Sequence, residues 1–228
     1  MLTVPGAPGI DVHLRRSARA RRMSLRVARA GGQVTLTLPV RMPTREASAF
    51  VASQAEWIAR NVAAVPQSRP VRIGTTLPLL GREVPVVAGA GRAARFTGAE
   101  IAVPEGPRVA PRVKALFRDM ARTHLAAAVD RYAEQVSRSP RKITLRDTRS
   151  RWGSCSSKGD LMFSWRLIMA PPDVLDYVAA HEVAHLVHMD HSKRFWGLVA
   201  EMMPDHAPRR TWLRDQGATL HAVDFSDG

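Results

Sequence analysis

His181-Glu182-Val183-Ala184-His185 is the stretch of this chain whose residue types and spacing could do chemistry. On a helix, residues four apart lie one above the other, so both imidazoles can face a single metal ion. Glu182 projects about 100° around the helix from His181, near enough to reach a metal-bound water without ligating the metal. Zinc lowers the pKa of such a water to about 7, and a carboxylate there can take its proton as it attacks a carbonyl. With 8 His in 228 residues, and as many Glu, chance supplies the pattern in roughly one shuffled sequence in a hundred. Val174 and Val178 fall on the same helical stripe, so the ligand face begins as a buried face. The plainer alternative is a helix with two satisfied core histidines.

A catalytic zinc needs a third protein ligand and an open position. His188 lies on the stripe, but it stands seven residues from His181, roughly 10 Å along a helix, too far for one ion to gather all three. Glu201 would come from a following helix across a short gap, and His206 fits by type alone. His191 is the leading candidate, provided the helix ends near Met189 and the chain turns back. Ser192 supports that break as the cap of a next helix bearing Phe195, Trp196, Val199 and Met203.

The elements that must position these residues can be read from periodicity. Gln33–Pro39 alternates as a strand after Gly31-Gly32, with Met23–Val27 as its hairpin partner. A helix follows from Pro43-Thr44 to Pro66, and short strands between Val71 and Val103. Pro104-Glu105-Gly106-Pro107 is the best internal boundary. It divides the chain into a β-rich region with one helix, 1–106, and a second domain, 107–228. That domain opens with a long helix whose stripe is Val113, Leu116, Phe117, Met120, His124, Ala128 and Tyr132. Strands at Ile143–Arg146 and Leu161–Met169 flank a turn around Trp152–Ser157, and helices near 172–189, 193–203 and 207–216 complete an α+β fold. Phe163, Trp165 and Leu167 alternate with Ser164 and Arg166, so one face of this strand should be buried. By resemblance to zincins, in which an edge strand beside the active-site helix pairs with extended substrate, 161–169 is the candidate for that strand.

The net charge is +14, with residues 1–109 carrying 16 basic against 6 acidic side chains. Six arginines lie between Arg15 and Arg26; as one strand, Arg15, Arg19 and Arg21 would share a face opposite Arg16, Arg22 and Arg26. Such a run permits nucleic-acid association, although a run split over two faces is poorly shaped for a phosphate groove. The single cysteine, Cys155, fits a reducing compartment and reads as a small turn residue. With neither a secretory pattern nor an apolar run long enough to span a membrane, the expected location is the cytoplasm. Arg149, Arg151 and Tyr177 are open candidates for stabilising a developing oxyanion.

Arg149-Ser-Arg-Trp-Gly-Ser-Cys-Ser156, Phe163-Ser-Trp-Arg-Leu167, the H-E-x-x-H motif and His191-Ser-Lys-Arg-Phe-Trp196 together resemble the YgjP-like metallopeptidase family. That family is similar to the SprT-like zinc proteases, which share H-E-x-x-H-x5-H. The likeness is strongest over about 140–217 and extends more weakly towards the arginine-rich segment. It implies a zincin-like domain with one Zn²⁺ per chain, His181, His185 and His191 as ligands, Glu182 as general base, and a polypeptide substrate. The SprT likeness also raises a DNA-linked role, and hydrolysis of a non-peptide amide keeps the same metal. Metzincins share the histidine spacing, but they have glycine where this chain has His188, followed by a methionine turn not found here.

Overall fold

The computed structural model describes residues 1–28 and 31–226, which form two compact units, Met1–Ser68 and 69–226. Each has its own apolar core. Among the described residues no helix is long and apolar enough to cross a membrane.

In the first unit, β1 (Leu2–Thr3), β2 (Asp11–Ser17), β3 (Ser24–Val27) and β4 (Val34–Pro39) form a sheet of order β1-β2-β4-β3. Alternation sets its faces: Val34, Leu36 and Leu38 are buried, while Thr35 and Thr37 are only partly so. The buried face meets Ala47 and Val51 of α1 (Thr44–Ser53) and Ile58 of α2 (Ala55–Ala63). The single helix expected here breaks at Gln54, whose φ of −106° and ψ of 10° depart from helical values. The hairpin of β3 with β4 is present, and β2 adds to β4 in parallel. The arginine run does not keep one alternation, because the turn at 18–23 separates β2 from β3 and resets it. Arg15 and Arg26 therefore share the open face, opposite Thr37 and Thr35 of β4. Arg16 points the other way and donates to the carbonyls of Val40 and Met42, both at 2.7 Å, which ties down the loop before α1.

The second unit begins with β5 (Arg69–Pro70). A sheet of order β6-β7-β9-β8 follows, made by β6 (Thr76–Leu79), β7 (Arg82–Ala88), β8 (Arg95–Phe96) and β9 (Ile101–Val103). Its buried residues Leu77, Leu79, Val84, Val86, Ile101 and Val103 share one core with α3 (Val109–Gln135). This common core is why the compact units divide at 68/69 and not at the Pro104–Pro107 segment. On α3 the buried stripe runs through Val113, Phe117, Ala121, Leu125, Ala128, Val129 and Tyr132; His124, expected on it, is exposed. Each fully buried Phe or Leu of this stripe contributes about 1.5–3 kcal/mol.

A three-stranded sheet carries the remainder: β10 (Lys142–Arg146), β11 (Gly153–Cys155) and β12 (Asp160–Ser164), in order β10-β12-β11. β10 runs parallel to β12 and β11 antiparallel to it. The strand expected over 161–169 stops at Ser164, and Trp165–Met169 forms a fully buried 3-10 turn. β12 is moreover the central strand, with both its edges paired, so the edge beside the motif helix belongs to β11. Arg166, in the buried turn, pairs with Asp147 at 2.6 Å and donates to the carbonyls of Leu220 and Val223. Three helices follow, α4 (Pro172–Ala184), α5 (Lys193–Met202) and α6 (His206–Ala222), the last longer than periodicity suggested. β13 (Val223–Asp224) closes the unit by pairing in parallel with β5.

Candidate metal centre

Nine of the thirteen residues of α4 are buried, as expected of a helix apolar on most of its surface. Pro172 opens it, since proline at the first position loses no helical hydrogen bond. It ends earlier than the sequence suggested: His185 is already the C-cap, and the His188 amide donates back to the Ala184 carbonyl at 2.9 Å. The chain turns there and returns. The Ser192 hydroxyl then accepts from the Phe195 amide at the start of α5. This early stop is what lets His191 reach the other two histidines.

Ligand atoms of His181, His185 and His191 all lie within 4.8 Å of one another. His181 Nε2 and His191 Nε2 stand 3.3 Å apart. Two nitrogens bound tetrahedrally to one zinc at ~2.1 Å would be separated by about 3.4 Å, so the spacing fits the ion. His185 Nδ1, 2.9 Å from the His188 carbonyl, can donate to it, and this fixes the tautomer that leaves Nε2 free as a ligand. His188 thus enters the site through its backbone. Glu201 and His206 do not join the group, and His206 Nδ1 instead pairs with the Met203 carbonyl. The fully buried ring of Phe195 lies 4.4–4.9 Å from all three imidazoles and forms the floor of the cluster. Sequence periodicity put Phe195 on a buried helical face but carried no sign of this role.

Burial, reinforced by the charges of His185, His191 and Arg210, pushes His181 down to about 3; burial also lowers His185. Both rings are therefore neutral at physiological pH, the form that binds metal. His181 Nδ1 is buried without a hydrogen-bond partner, so this ring is held by packing against Tyr177, Phe195 and Trp196.

Glu182 is 5% exposed, and burial raises its carboxyl to about 8 against the opposing charge of Arg151. A divalent cation on the histidines would draw that value down. Its nearest wall is Gly153 of β11, where a Cβ would lie 2.4 Å from Glu182 Oε1 and 2.6 Å from Cγ. Only glycine leaves room for the carboxylate at this point. Ser156 donates to Asp160, and Ser164 to Trp152, across the β11–β12 ladder. By antiparallel alternation the backbone groups of Gly153 and Cys155 point to the open edge instead. Burial, then the charges of Glu182 and Asp160, lifts the Cys155 thiol to about 11, which makes it a poor nucleophile or metal ligand. Both Arg149 and Arg151 are exposed, and Arg151 lines the same cleft.

The model of the YgjP-like metallopeptidase domain matches residues 21–216. The chain belongs to the YgjP-like metallopeptidase family. Comparison with curated proteins and with solved structures gave no match. Family membership makes this a metallopeptidase domain with a polypeptide as its class of substrate, and the three-histidine cluster is a group that could hold the metal. A separate cavity of this YgjP-like chain's second unit, about 590 Å³, is lined by Pro70, Val71, Arg72, Ile73, residues 105–107, 109 and 110, Asp224 and Ser226, and contains none of these histidines.

Proposed function

We propose that the chain is a zinc-dependent peptidase in which His181, His185 and His191 hold one Zn²⁺ and Glu182 is the general base. The observation that carries this reading is the convergence of three imidazoles beside a buried carboxylate. A three-imidazole donor set is that of catalytic zinc, which keeps a position for substrate. Bound there, zinc would supply Lewis acidity, polarising a carbonyl and making water acidic near neutral pH.

The chain's own groups account for the remaining steps. The Glu182 carboxylate takes the proton of the attacking water and passes it to the leaving amine nitrogen. Gly153 and Cys155 offer backbone N–H and C=O groups to an extended substrate, which adds as a further strand and runs past Glu182. The His185–His188 hydrogen bond and the Phe195 ring keep the ligands oriented through the cycle.

The test is metal analysis of wild type, His185→Ala and His191→Ala, with peptide hydrolysis by wild type and Glu182→Gln. About one zinc per wild-type chain, sharply weakened in both histidine variants, is expected. Glu182→Gln should keep zinc and lose activity by at least about 100-fold. Unchanged activity in that variant would remove Glu182 from its role. Firm zinc retention in His191→Ala would move the third ligand elsewhere.

A further inference from the structure

The cleft at Glu182 has two lobes, both lined by Gly153, His181 and Glu182. One, of about 250 Å³, is completed by Arg151, Ser154, Cys155, His185, Met189 and His191. The other, of about 240 Å³, is walled by Trp152, Tyr177, Val178 and Leu213, with a single cation, Arg210. We infer that this second lobe is a side-chain subsite adjoining the scissile bond, and that Arg210 makes it select a carboxylate on the substrate. The inference rests on the peptidase reading above and names the chemistry that the site prefers.

Three observations carry it. Trp152, Val178 and Leu213 give the lobe apolar walls, so an uncharged stem is at home there, while Arg210 adds a positive charge to its lining. Among the described residues Arg210 has no carboxylate partner of the kind its neighbours on α6 have: Arg209 pairs with Asp173 at 2.9 Å and Arg214 with Asp215 at 2.8 Å. Among the described residues, the contact that orients the Arg210 guanidinium is the Trp196 ring, 4.6 Å away. Trp196 in turn packs on His181 and His191, so the cation is built into the same aromatic cluster as the metal centre. A guanidinium held by one face on an indole keeps its edge N–H groups free for a bidentate carboxylate. The lobe is also held open by design: Gly217 lets the Trp152 indole lie directly on α6, where a Cβ would come within 2.9 Å of it, and His221 stacks on the same ring at 4.8 Å.

The carboxylate can belong to an internal Asp or Glu or to the terminus of the substrate. The zinc-loaded full chain is assayed on quenched-fluorescence peptides with Glu, Gln, Leu or Lys at each position flanking the cleavable bond, with free and amidated C-termini. Wild type should favour Glu over Gln at one flanking position by at least about tenfold in kcat/KM. Arg210→Gln should erase that ratio and Arg210→Glu should shift it towards Lys, with zinc content unchanged. Retention of the preference for internal Glu under amidation assigns the side chain; its loss assigns the terminus. A preference unaltered by both variants overturns the proposal. So does an equal loss of kcat on Glu, Gln and Leu peptides, which would put Arg210 at the reacting carbonyl. Binding gives an independent readout: N-acetyl-glutamate amide, but not its glutamine twin, should saturably alter tryptophan fluorescence in wild type and not in Arg210→Gln. N-acetyl-leucine against its amide serves the same purpose for a terminal carboxylate. Such binding without cleavage of any peptide would sink the peptidase reading and leave the subsite standing; absence of both overturns the subsite.

Discussion

Two sheets of the second unit share a three-strand plan and put it to different uses. In β7-β9-β8, as in β10-β12-β11, the first strand runs parallel to the third, which lies in the middle, and the second is antiparallel at the edge. Each edge strand lies against a helix, β8 against α3 and β11 against α4. Phe96 in β8 stands opposite buried Ile101 and packs onto the core. Gly153 in β11 stands opposite buried Phe163, yet it brings no side chain, and the space is taken by the Glu182 carboxylate. One architecture thus yields a sealed packing seam with phenylalanine and an open reactive cleft with glycine. The difference lies in a single side chain's worth of volume, beside a helix that carries polar residues on its inner face.

The sharpest way to break this comparison is Gly153→Ala. The added Cβ would displace Glu182, and peptide hydrolysis should fall by about 100-fold while zinc content stays at its wild-type level. Gly89 offers the matched control, since a Cβ there would meet the Cβ of Ala102 at 2.8 Å in the other sheet. Gly89→Ala should lower the melting temperature and leave activity per folded molecule intact. Equal loss of activity in both variants would mean that the two seams do not differ in kind.

Next in size is Phe195→Leu, which removes the aromatic floor and no ligand. Zinc affinity should weaken by about 10–100-fold in competition with a chelator, as for other residues that orient metal ligands. Cys155→Pro tests the open edge itself. Proline is tolerated where the N–H points away from the ladder, so the fold should persist while kcat/KM drops about tenfold through the lost backbone donor. Wild-type kinetics in this variant would show that β11 does not pair with substrate.

The smallest effect is the pH dependence of metal-free stability. The folded state binds the Glu182 proton more tightly than the unfolded chain does, so stability falls as pH rises from about 4.5 to about 8. His181 behaves oppositely: the folded state rejects its proton, and stability falls as pH drops from about 6.5 towards about 3. The two slopes offset each other between about 4.5 and 6.5, where metal-free protein should melt highest. Excess zinc should remove the alkaline decline, because it binds the deprotonated site. A melting temperature that climbs steadily from pH 5 to 8 without metal would contradict this.

What could be read from the sequence was what depends on neighbours along the chain. The face of His181 and His185, the cap at Ser192 and the return of His191 all follow from helical period and a stop signal. The identity of the edge strand did not, because it depends on which of β10, β11 and β12 pairs in the centre, a long-range choice that alternation alone leaves open. The buried 3-10 turn at Trp165–Met169 mimics a strand, since its apolar residues continue the pattern of β12. On α3 the alanines at 121 and 133 widen the buried stripe and shift it off His124, a change invisible when large residues alone define the face. Arg16 and Arg210 look alike in the sequence; one is spent on backbone carbonyls and the other rests on the Trp196 ring, and only tertiary packing separates them.

The pairing of β13 with β5 bears on how the unit comes into being. Val223 lies against Arg69, and Phe225 meets Phe117 and Trp165 at 5.7 and 5.1 Å, so the last-made of these elements completes a core begun by the earliest. Such contacts have very high sequence separation, which slows folding and postpones closure until both partners exist. On the ribosome, α4 with its H-E-x-x-H residues emerges well before this clasp can form. A nascent chain therefore passes through a stage in which the histidines are present but their framework is unlatched.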